Sequence, residues 1–183
     1  PAGLPDGVVL LDGGMGQELI RRKASGQGVL WSAKALFDSP EEVVAIHEDY
    51  IRAGADVITA NSYACIRNNF EPEGLTDRLG EMNRLAAELA QRARDNCART
   101  VLIAGSMGPQ NGSYRPDLVG TYEETEALYF EQAEFLAPYV DFFICETMSC
   151  LLEARAAVTA ASTTGKPVWL SWSIEDSGFA NLR

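Results

Sequence analysis

Long apolar runs and basic clusters are both missing from this 183-residue sequence. No stretch approaches the roughly 18 apolar residues of a membrane-spanning helix, so no such segment is expected. Fifteen Lys and Arg residues stand against 26 Asp and Glu residues, which gives a net charge of −11. A surface that neutralises phosphates needs clustered Lys and Arg, so neither nucleic acid nor an anionic membrane is expected as a partner.

Cysteine and histidine are also scarce. The four cysteines form no Cys-x-x-Cys pair, and their spacing does not indicate a disulfide framework. Residues 1–7 carry no basic or apolar run typical of a signal sequence, so we expect reduced cysteines in a cytoplasmic protein. The single histidine, His47, lies on or near the apolar stripe of a predicted helix and far from any strand end, which favours a structural role.

What the sequence does contain is a regular alternation of strands and helices. Short apolar runs bounded by turn residues predict five buried strands, at residues 8–11, 56–60, 101–104, 142–145 and 168–172. Ser39 and Thr121 each precede a Glu by three positions, which predicts two capping boxes that open helices. Gly54 is expected to end the first of these helices, and further helices are predicted at residues 76–97 and 149–164.

Helical crossovers between successive strands predict parallel pairing, in sequential order, in an α/β fold. A doubly wound sheet and part of a (β/α)8 TIM barrel both fit this pattern. A complete barrel usually needs about 250 residues, so this chain would supply only the first five or so β/α units. The first residue is Pro rather than Met, and residues 179–183 carry no termination signal. We therefore expect residues 1–183 to be one barrel domain, truncated at its C-terminal end.

Polar and small residues follow the predicted strands at the edge where function collects in both architectures. The loop DGGMG at residues 12–16 lacks the spacing of a phosphate or dinucleotide loop. Asp12 would accept a cationic group while exposed backbone N–H groups hold an anion, or it would simply cap a tight strand-to-helix turn. Glu146 directly follows the fourth predicted strand, where a carboxylate points into the mouth of the sheet.

Several readings stay open on the residues alone. Asp12 and Glu146 would serve either as a general acid/base pair or as a clamp on one ammonium group. Cys145 and Cys150 lie five residues apart, which is weak evidence for a metal site. Trp31 fits core packing as well as a site wall.

Taken together, the motifs resemble those of the homocysteine S-methyltransferase family, whose fold is a (β/α)8 barrel. The matching segments follow one another along nearly the whole chain: LLDGGMGQEL at residues 10–19, LWSAKAL at 30–36, YIRAGAD at 50–56, ITANSY at 58–63, AGSMGP at 104–109 and CETM at 145–148. The family includes betaine– and S-methylmethionine–homocysteine methyltransferases. The resemblance therefore implies a methyl transfer from an onium donor to the thiol of homocysteine.

The resemblance also assigns residues. Asp12 and Glu146 match the carboxylates that hold the homocysteine ammonium group, and Gly13 and Gly14 match the backbone that receives its carboxylate. Trp31 matches an aromatic residue on the methyl-donor side, and Tyr63 is a further candidate there. An aromatic face attracts an onium cation. Residues 30–33 look nearer the S-methylmethionine branch than the betaine branch.

The family holds zinc with three cysteines, and none of the four cysteines of this chain matches them. We therefore expect no metal ligand in residues 1–183 and place the Zn²⁺ ligands of the full-length protein beyond Arg183. The competing hypotheses are a non-catalytic amino-acid-binding or scaffold barrel that ends naturally near Arg183, and a barrel enzyme that uses Asp12 and Glu146 as an acid/base pair.

Overall fold

The structure, a computed structural model, describes residues 1–24, 28, 30–176 and 182. A parallel four-stranded sheet forms its centre, and the strands lie in sequential order, as predicted. The strands are β1 (Val57–Thr59), β2 (Leu102–Met107), β3 (Phe142–Met148) and β4 (Val168–Trp172). Each strand pairs in parallel with its predecessor, which excludes the doubly wound order for the described part of the chain.

The predicted first strand is reduced to a single bridge between Leu11 and Val57, so the prediction of five full strands is wrong by one among the described residues. The segment still runs beside β1, because the Asp56 amide donates to the Leu10 carbonyl at 2.7 Å and the Asp12 amide to the Val57 carbonyl at 3.0 Å. The Leu10 amide donates instead to the Asp56 carboxylate at 2.9 Å. A side chain thus takes the place of a ladder partner, and regular pairing ends there.

Helices connect the strands. They are α1 (Met15–Arg21), α2 (Lys34–Asp38), α3 (Pro40–Ala53), α4 (Arg67–Phe70), α5 (Leu79–Asp95), α6 (Tyr122–Leu136) and α7 (Leu151–Ser162), and short 3₁₀ turns include Trp31–Ala33. Gly54 ends α3 with a φ of 112°, in the left-handed region that glycine adopts readily.

The two predicted capping boxes differ in outcome. Thr121 forms the full capping box with Glu124 at the start of α6. Ser39 makes no side-chain cap on α3, so that prediction is wrong. Ser39 is both the C-cap residue of α2 and the N-cap residue of α3. Because it joins the two helices, its backbone is set at φ −149° and ψ 51°.

Apolar side chains cover both faces of the sheet, as expected for parallel strands. On one face, Ile103 and Phe143 join the main core with α3, α5, α6 and α7. On the other, Val57, Ala104 and Phe142 form a smaller cluster. Because side chains alternate along a strand, Phe142 and Ile144 of β3 both point to this second face, and Ile144 also lines the cavity described below. No helix among the described residues is long and apolar enough to cross a membrane.

Candidate functional site

A cavity of about 570 Å³ opens at the carboxyl ends of the strands. All six residues predicted for the substrate site line it: Asp12, Gly13, Gly14, Trp31, Tyr63 and Glu146. They come from four separate segments of the chain, and the parallel order of the strands brings those segments to one edge. The cavity volume lies in the range of small-molecule sites.

Asp12 is fixed by the last residue of β1. Its two carboxylate oxygens accept hydrogen bonds from the Thr59 amide at 2.8 Å and the Thr59 hydroxyl at 2.9 Å. Burial raises the pKa of Asp12 to about 6, against the lowering effect of the Thr59 bonds, and the nearby charge of Glu146 raises it further. Both carboxyl groups line the same cavity, where a bound cation would favour their ionised forms.

Glu146 lies within β3 rather than after it, which corrects the sequence prediction. Its carboxylate accepts a hydrogen bond of 2.6 Å from the Ser106 hydroxyl on β2. Burial raises the pKa of Glu146, and the Ser106 bond opposes this rise. Like Asp12, it is a carboxylate held beside a hydroxyl at the cavity wall with its ionised form disfavoured.

A β-bulge presents Glu146 to the cavity. Cys145 pairs with Leu170 and Met148 with Trp172, so β3 advances by three residues while β4 advances by two. The extra residue falls at Glu146 and Thr147, and Thr147 has a φ of 63°. A β-branched residue rarely adopts this left-handed conformation, and bulges of this kind redirect side chains beside functional sites.

The glycine loop exposes its backbone to the cavity. A Cβ at Gly13 would lie 2.7 Å from the Tyr50 hydroxyl, so a side chain cannot fit at this position without moving Tyr50. Gly14 is the N-cap residue of α1, and a Cβ there would meet only the Gln17 side chain, at 3.9 Å. The loop therefore offers main-chain groups to a ligand beside Asp12, and its anion-holding role stays a prediction.

Trp31 and Tyr63 form an aromatic corner of the cavity. Their rings meet edge to face with centroids 6.4 Å apart. Each ring packs on a glycine, since a Cβ at Gly16 would lie 2.3 Å from the Trp31 ring and a Cβ at Gly108 would lie 2.6 Å from the Tyr63 ring. The Tyr63 hydroxyl shares a 2.6 Å hydrogen bond with Ser113.

Sequence reasoning did not assign the residues that hold these groups. Thr59 and Ser106 fall inside the matched segments at 58–63 and 104–109 without a role of their own, and Ser113 lies outside every matched segment. Their partners lie 40 or more residues away in sequence, at Glu146 for Ser106 and Tyr63 for Ser113. The one available signal is a hydroxyl residue at or just after the carboxyl end of a buried strand.

Cysteine and histidine lie outside this arrangement. All four cysteines are free, and burial raises the pKa of Cys65 and, to about 12, that of Cys145. His47 is buried in α3, and neither ring nitrogen has a hydrogen-bond partner among the described residues. Within the same ranges, no group of three or more His, Cys, Asp or Glu side chains is placed to hold a metal ion.

The geometry suits a small zwitterion beside an aromatic wall. Two carboxylates can accept an ammonium group, and the adjacent glycine backbone can donate to a carboxylate. An acid/base role is also chemically open to two carboxyl groups with raised pKa values. The aromatic corner favours a ligand that carries a second, positively charged group.

Comparison with known proteins identifies close relatives. A family model described as homocysteine S-methyltransferase matches residues 9–183. The homocysteine S-methyltransferase of Escherichia coli is 32% identical over 93% of this chain and 60% of its own length. Homocysteine S-methyltransferase YbgG of Bacillus subtilis is 32% identical over 92% of this chain and 59% of its own length.

Solved structures agree with the sequence comparison. The homocysteine methyltransferase MmuM from Escherichia coli, crystallised in a metallated form, matches with a TM-score of 0.85 and 32% identity. The match covers 95% of this chain and 66% of that one. The present chain thus spans about 60% of the length of these two curated relatives.

Proposed function

Since the chain belongs to the homocysteine S-methyltransferase family, we propose that it forms the amino-acid-binding part of an enzyme that methylates homocysteine to methionine. The observation that carries the proposal is the pairing of Asp12 and Glu146 across one cavity, beside an exposed glycine backbone. We also propose that the four-stranded sheet belongs to a (β/α)8 barrel, with residues 1–183 inside one barrel domain. The cavity lies where barrel enzymes carry their sites.

Asp12 and Glu146 bind the ammonium group of homocysteine in this proposal. Thr59 and Ser106 hold the two carboxylates in place before the substrate arrives, which reduces the ordering that binding requires. The backbone at Gly13 and Gly14 receives the substrate carboxylate. The thiol end of homocysteine then extends along the cavity.

Trp31 and Tyr63 bind the methyl donor, an onium compound such as S-methylmethionine. Their aromatic faces attract its positive charge. The homocysteine thiol releases its proton to water, and its sulfur then displaces the donor: a bond forms between that sulfur and the methyl carbon while the bond from the methyl carbon to the donor sulfur breaks. The bonding electrons stay on the departing sulfur, which leaves neutral, so the cation is lost from the aromatic corner as the product forms.

The resemblance implies a zinc ion that makes the homocysteine thiol nucleophilic, and the described residues do not fit such a site. Cys65 and Cys145 are buried with raised pKa values, which disfavours the thiolate that zinc binds. No third ligand of the required type stands beside them among the described residues. We propose that residues other than these cysteines bind the zinc, while Asp12, Glu146, Trp31 and Tyr63 bind and orient the two substrates.

Replacement of Asp12 by Asn tests the ammonium clamp. A hydrogen bond to a charged group contributes about 1.5–3 kcal/mol, so Asp12→Asn should weaken homocysteine binding about 10- to 100-fold in isothermal titration calorimetry. Asp141→Asn is the matched control, because Asp141 also accepts a strand amide, that of Ile103 at 2.7 Å, before the start of β3. Equal affinities for the Asp12→Asn variant and the parent would refute the clamp.

A further inference from the structure

A hydrogen-bonded network of buried polar side chains lies behind the cavity. Its central members are Gln110, Gln132 and Glu153, and all three are almost completely buried. Polar groups in such a position destabilise a fold unless they are hydrogen-bonded. Each of these three is bonded, and the bonds run between loops that carry the cavity walls.

Gln132 on α6 holds the backbone next to Tyr63. Its side-chain amide donates to the Ser62 carbonyl at 3.0 Å, and that carbonyl belongs to the peptide unit that joins Ser62 to Tyr63. Because a peptide unit is planar and rigid, fixing this carbonyl fixes the direction from which Tyr63 enters the cavity. The Ser62 hydroxyl adds a bond of 2.8 Å to the Ser106 carbonyl on β2.

Gln110 carries the connection to the next loop. Its side chain donates to the Gln132 side-chain oxygen at 3.0 Å. Gln110 lies two residues after Gly108, on which the Tyr63 ring packs. A single Gln132 side chain therefore bonds the loop after β1 and the loop after β2.

Glu153 forms the other end of this hydrogen-bonded network. Its carboxylate accepts from the Gln110 backbone N–H at 3.1 Å and from the Tyr129 hydroxyl at 3.2 Å. It lies in the first turn of α7, where the helix dipole favours a negative charge. Burial raises its pKa, and the two donors oppose the rise. The loop after β3 is thereby tied to the loop after β2.

We infer that Gln132, Gln110 and Glu153 are positioning residues that set the Tyr63 wall, and so act on the methyl-donor side of the cavity more than on the amino-acid side. The two sides are linked by the Ser62 bond to the Ser106 carbonyl, but their principal supports differ. Asp12 and Glu146 are held by Thr59 and Ser106, and neither bond passes through the three positioning residues. The identity of the onium ligand rests on the proposed function, whereas the fixing of Tyr63 does not.

Gln132→Met tests the inference, since methionine keeps the length of the side chain but cannot donate to Ser62 or accept from Gln110. Gln91→Met is the matched control, because the Gln91 side chain also donates to a backbone carbonyl, that of Tyr139 at 2.8 Å, away from the cavity. Unfolding in urea compares the stability of the two variants. If Gln132→Met does not fold, Gln132→Glu and Gln91→Glu replace the pair.

The first readout needs no ligand. The protein is labelled with 3-fluorotyrosine, and the fluorine resonance of Tyr63 is identified by its loss in Tyr63→Phe. We expect Gln132→Met to shift or broaden this resonance and Gln91→Met to leave it in place. An unmoved Tyr63 resonance in a folded Gln132 variant would overturn the inference whatever the protein binds.

The second readout is affinity for two ligands. We expect Gln132→Met to weaken S-methylmethionine binding about tenfold while homocysteine binding changes less than twofold, and Gln91→Met to change neither. Equal losses for both ligands would overturn the selective role of the network. If the parent protein bound neither ligand, the proposed function would fail, while the fluorine experiment would still decide whether Gln132 positions Tyr63.

Discussion

Asp12 combines a cost for the fold with the binding role proposed above. Its carboxyl group has a pKa raised to about 6, mainly by burial. Ionised Asp12 is the form that accepts an ammonium group, so homocysteine affinity should fall as the pH drops through 6, by about tenfold between pH 7 and pH 5. Calorimetric titrations across this range measure the effect. An affinity constant over pH 5–8 would contradict the prediction.

The pH dependence of the fold's stability that arises from Asp12 runs in the opposite direction to that of binding. A carboxyl whose pKa is higher in the folded state than in the unfolded state binds more protons when folded, so its contribution to stability rises as the pH falls from about 6 towards 3.8. At pH 7 its ionised form costs up to about 3 kcal/mol, from a shift of about two pKa units. Asp12→Asn should therefore bind homocysteine less well and unfold at a higher urea concentration.

Gly16 controls the position of Trp31. A methyl group at this position would lie 2.3 Å from the indole ring, whereas a methyl group at Gly14 would have no neighbour closer than 3.9 Å. Gly16→Ala should displace Trp31 and weaken S-methylmethionine binding about tenfold or more. Gly14→Ala should leave donor binding close to that of the parent. Similar donor affinities in the two variants would show that Trp31 does not form the donor wall.

At the scale of elements, α6 and α3 allow a direct test of helix capping. Thr121 accepts the Glu124 amide and the pair completes a capping box, while Ser39 makes no side-chain cap. Thr121→Ala should lower the free energy of unfolding by about 1 kcal/mol. Ser39→Ala should change it by only a few tenths of a kcal/mol. Urea unfolding of both variants measures the difference, and equal losses would contradict the assignment.

Ser39 and Thr121 show what a sequence pattern can predict. Both segments match the capping pattern, and only the one whose cap residue has an extended backbone, Thr121, forms the box. The Ser39 geometry is set by α2, a helix that residue order alone did not predict. Likewise, the pairing of residues 8–11 was overestimated because the Asp56 side chain competes for the Leu10 amide, a contact across 46 positions.

The candidate site was more predictable than the element boundaries. Strand ends converge in any parallel sheet, so the polar residues that follow them had to meet, and all six predicted residues line one cavity. The bulge at Thr147 was not predictable, because it depends on the register between β3 and β4. The residues that support the site were not predictable either, because a contact such as that of Ser106 with Glu146 spans 40 positions in the sequence.

For the molecule as a whole, the cavity divides into two sides with separate supports. Thr59 and Ser106 hold the carboxylate side from β1 and β2. Gln132 and Glu153 hold the aromatic side from α6 and α7. The two sides meet at Ser106, so a change in α6 or α7 is expected to move the aromatic side more than the carboxylate side.

The outer edge of the sheet makes a prediction about association. In the described part of the chain, β4 pairs with β3 on one side, and Leu170 and Trp172 are 40% and 38% exposed. Exposed apolar edge strands pair with other copies. We expect the 183-residue chain to self-associate, with a sedimentation coefficient that rises between about 1 and 100 µM. Such edges are protected by Lys, so Leu170→Lys should keep the chain monomeric over this range.

Phe130→Lys is the matched control for this prediction. Phe130 is also 40% exposed, but it lies on α6 and away from the sheet edge. If pairing at the edge of β4 drives association, Phe130→Lys should associate like the parent, whereas general stickiness of exposed apolar side chains would make both variants equally monomeric. A parent chain that stays monomeric at the highest concentration would show that β4 is not a site of pairing between copies.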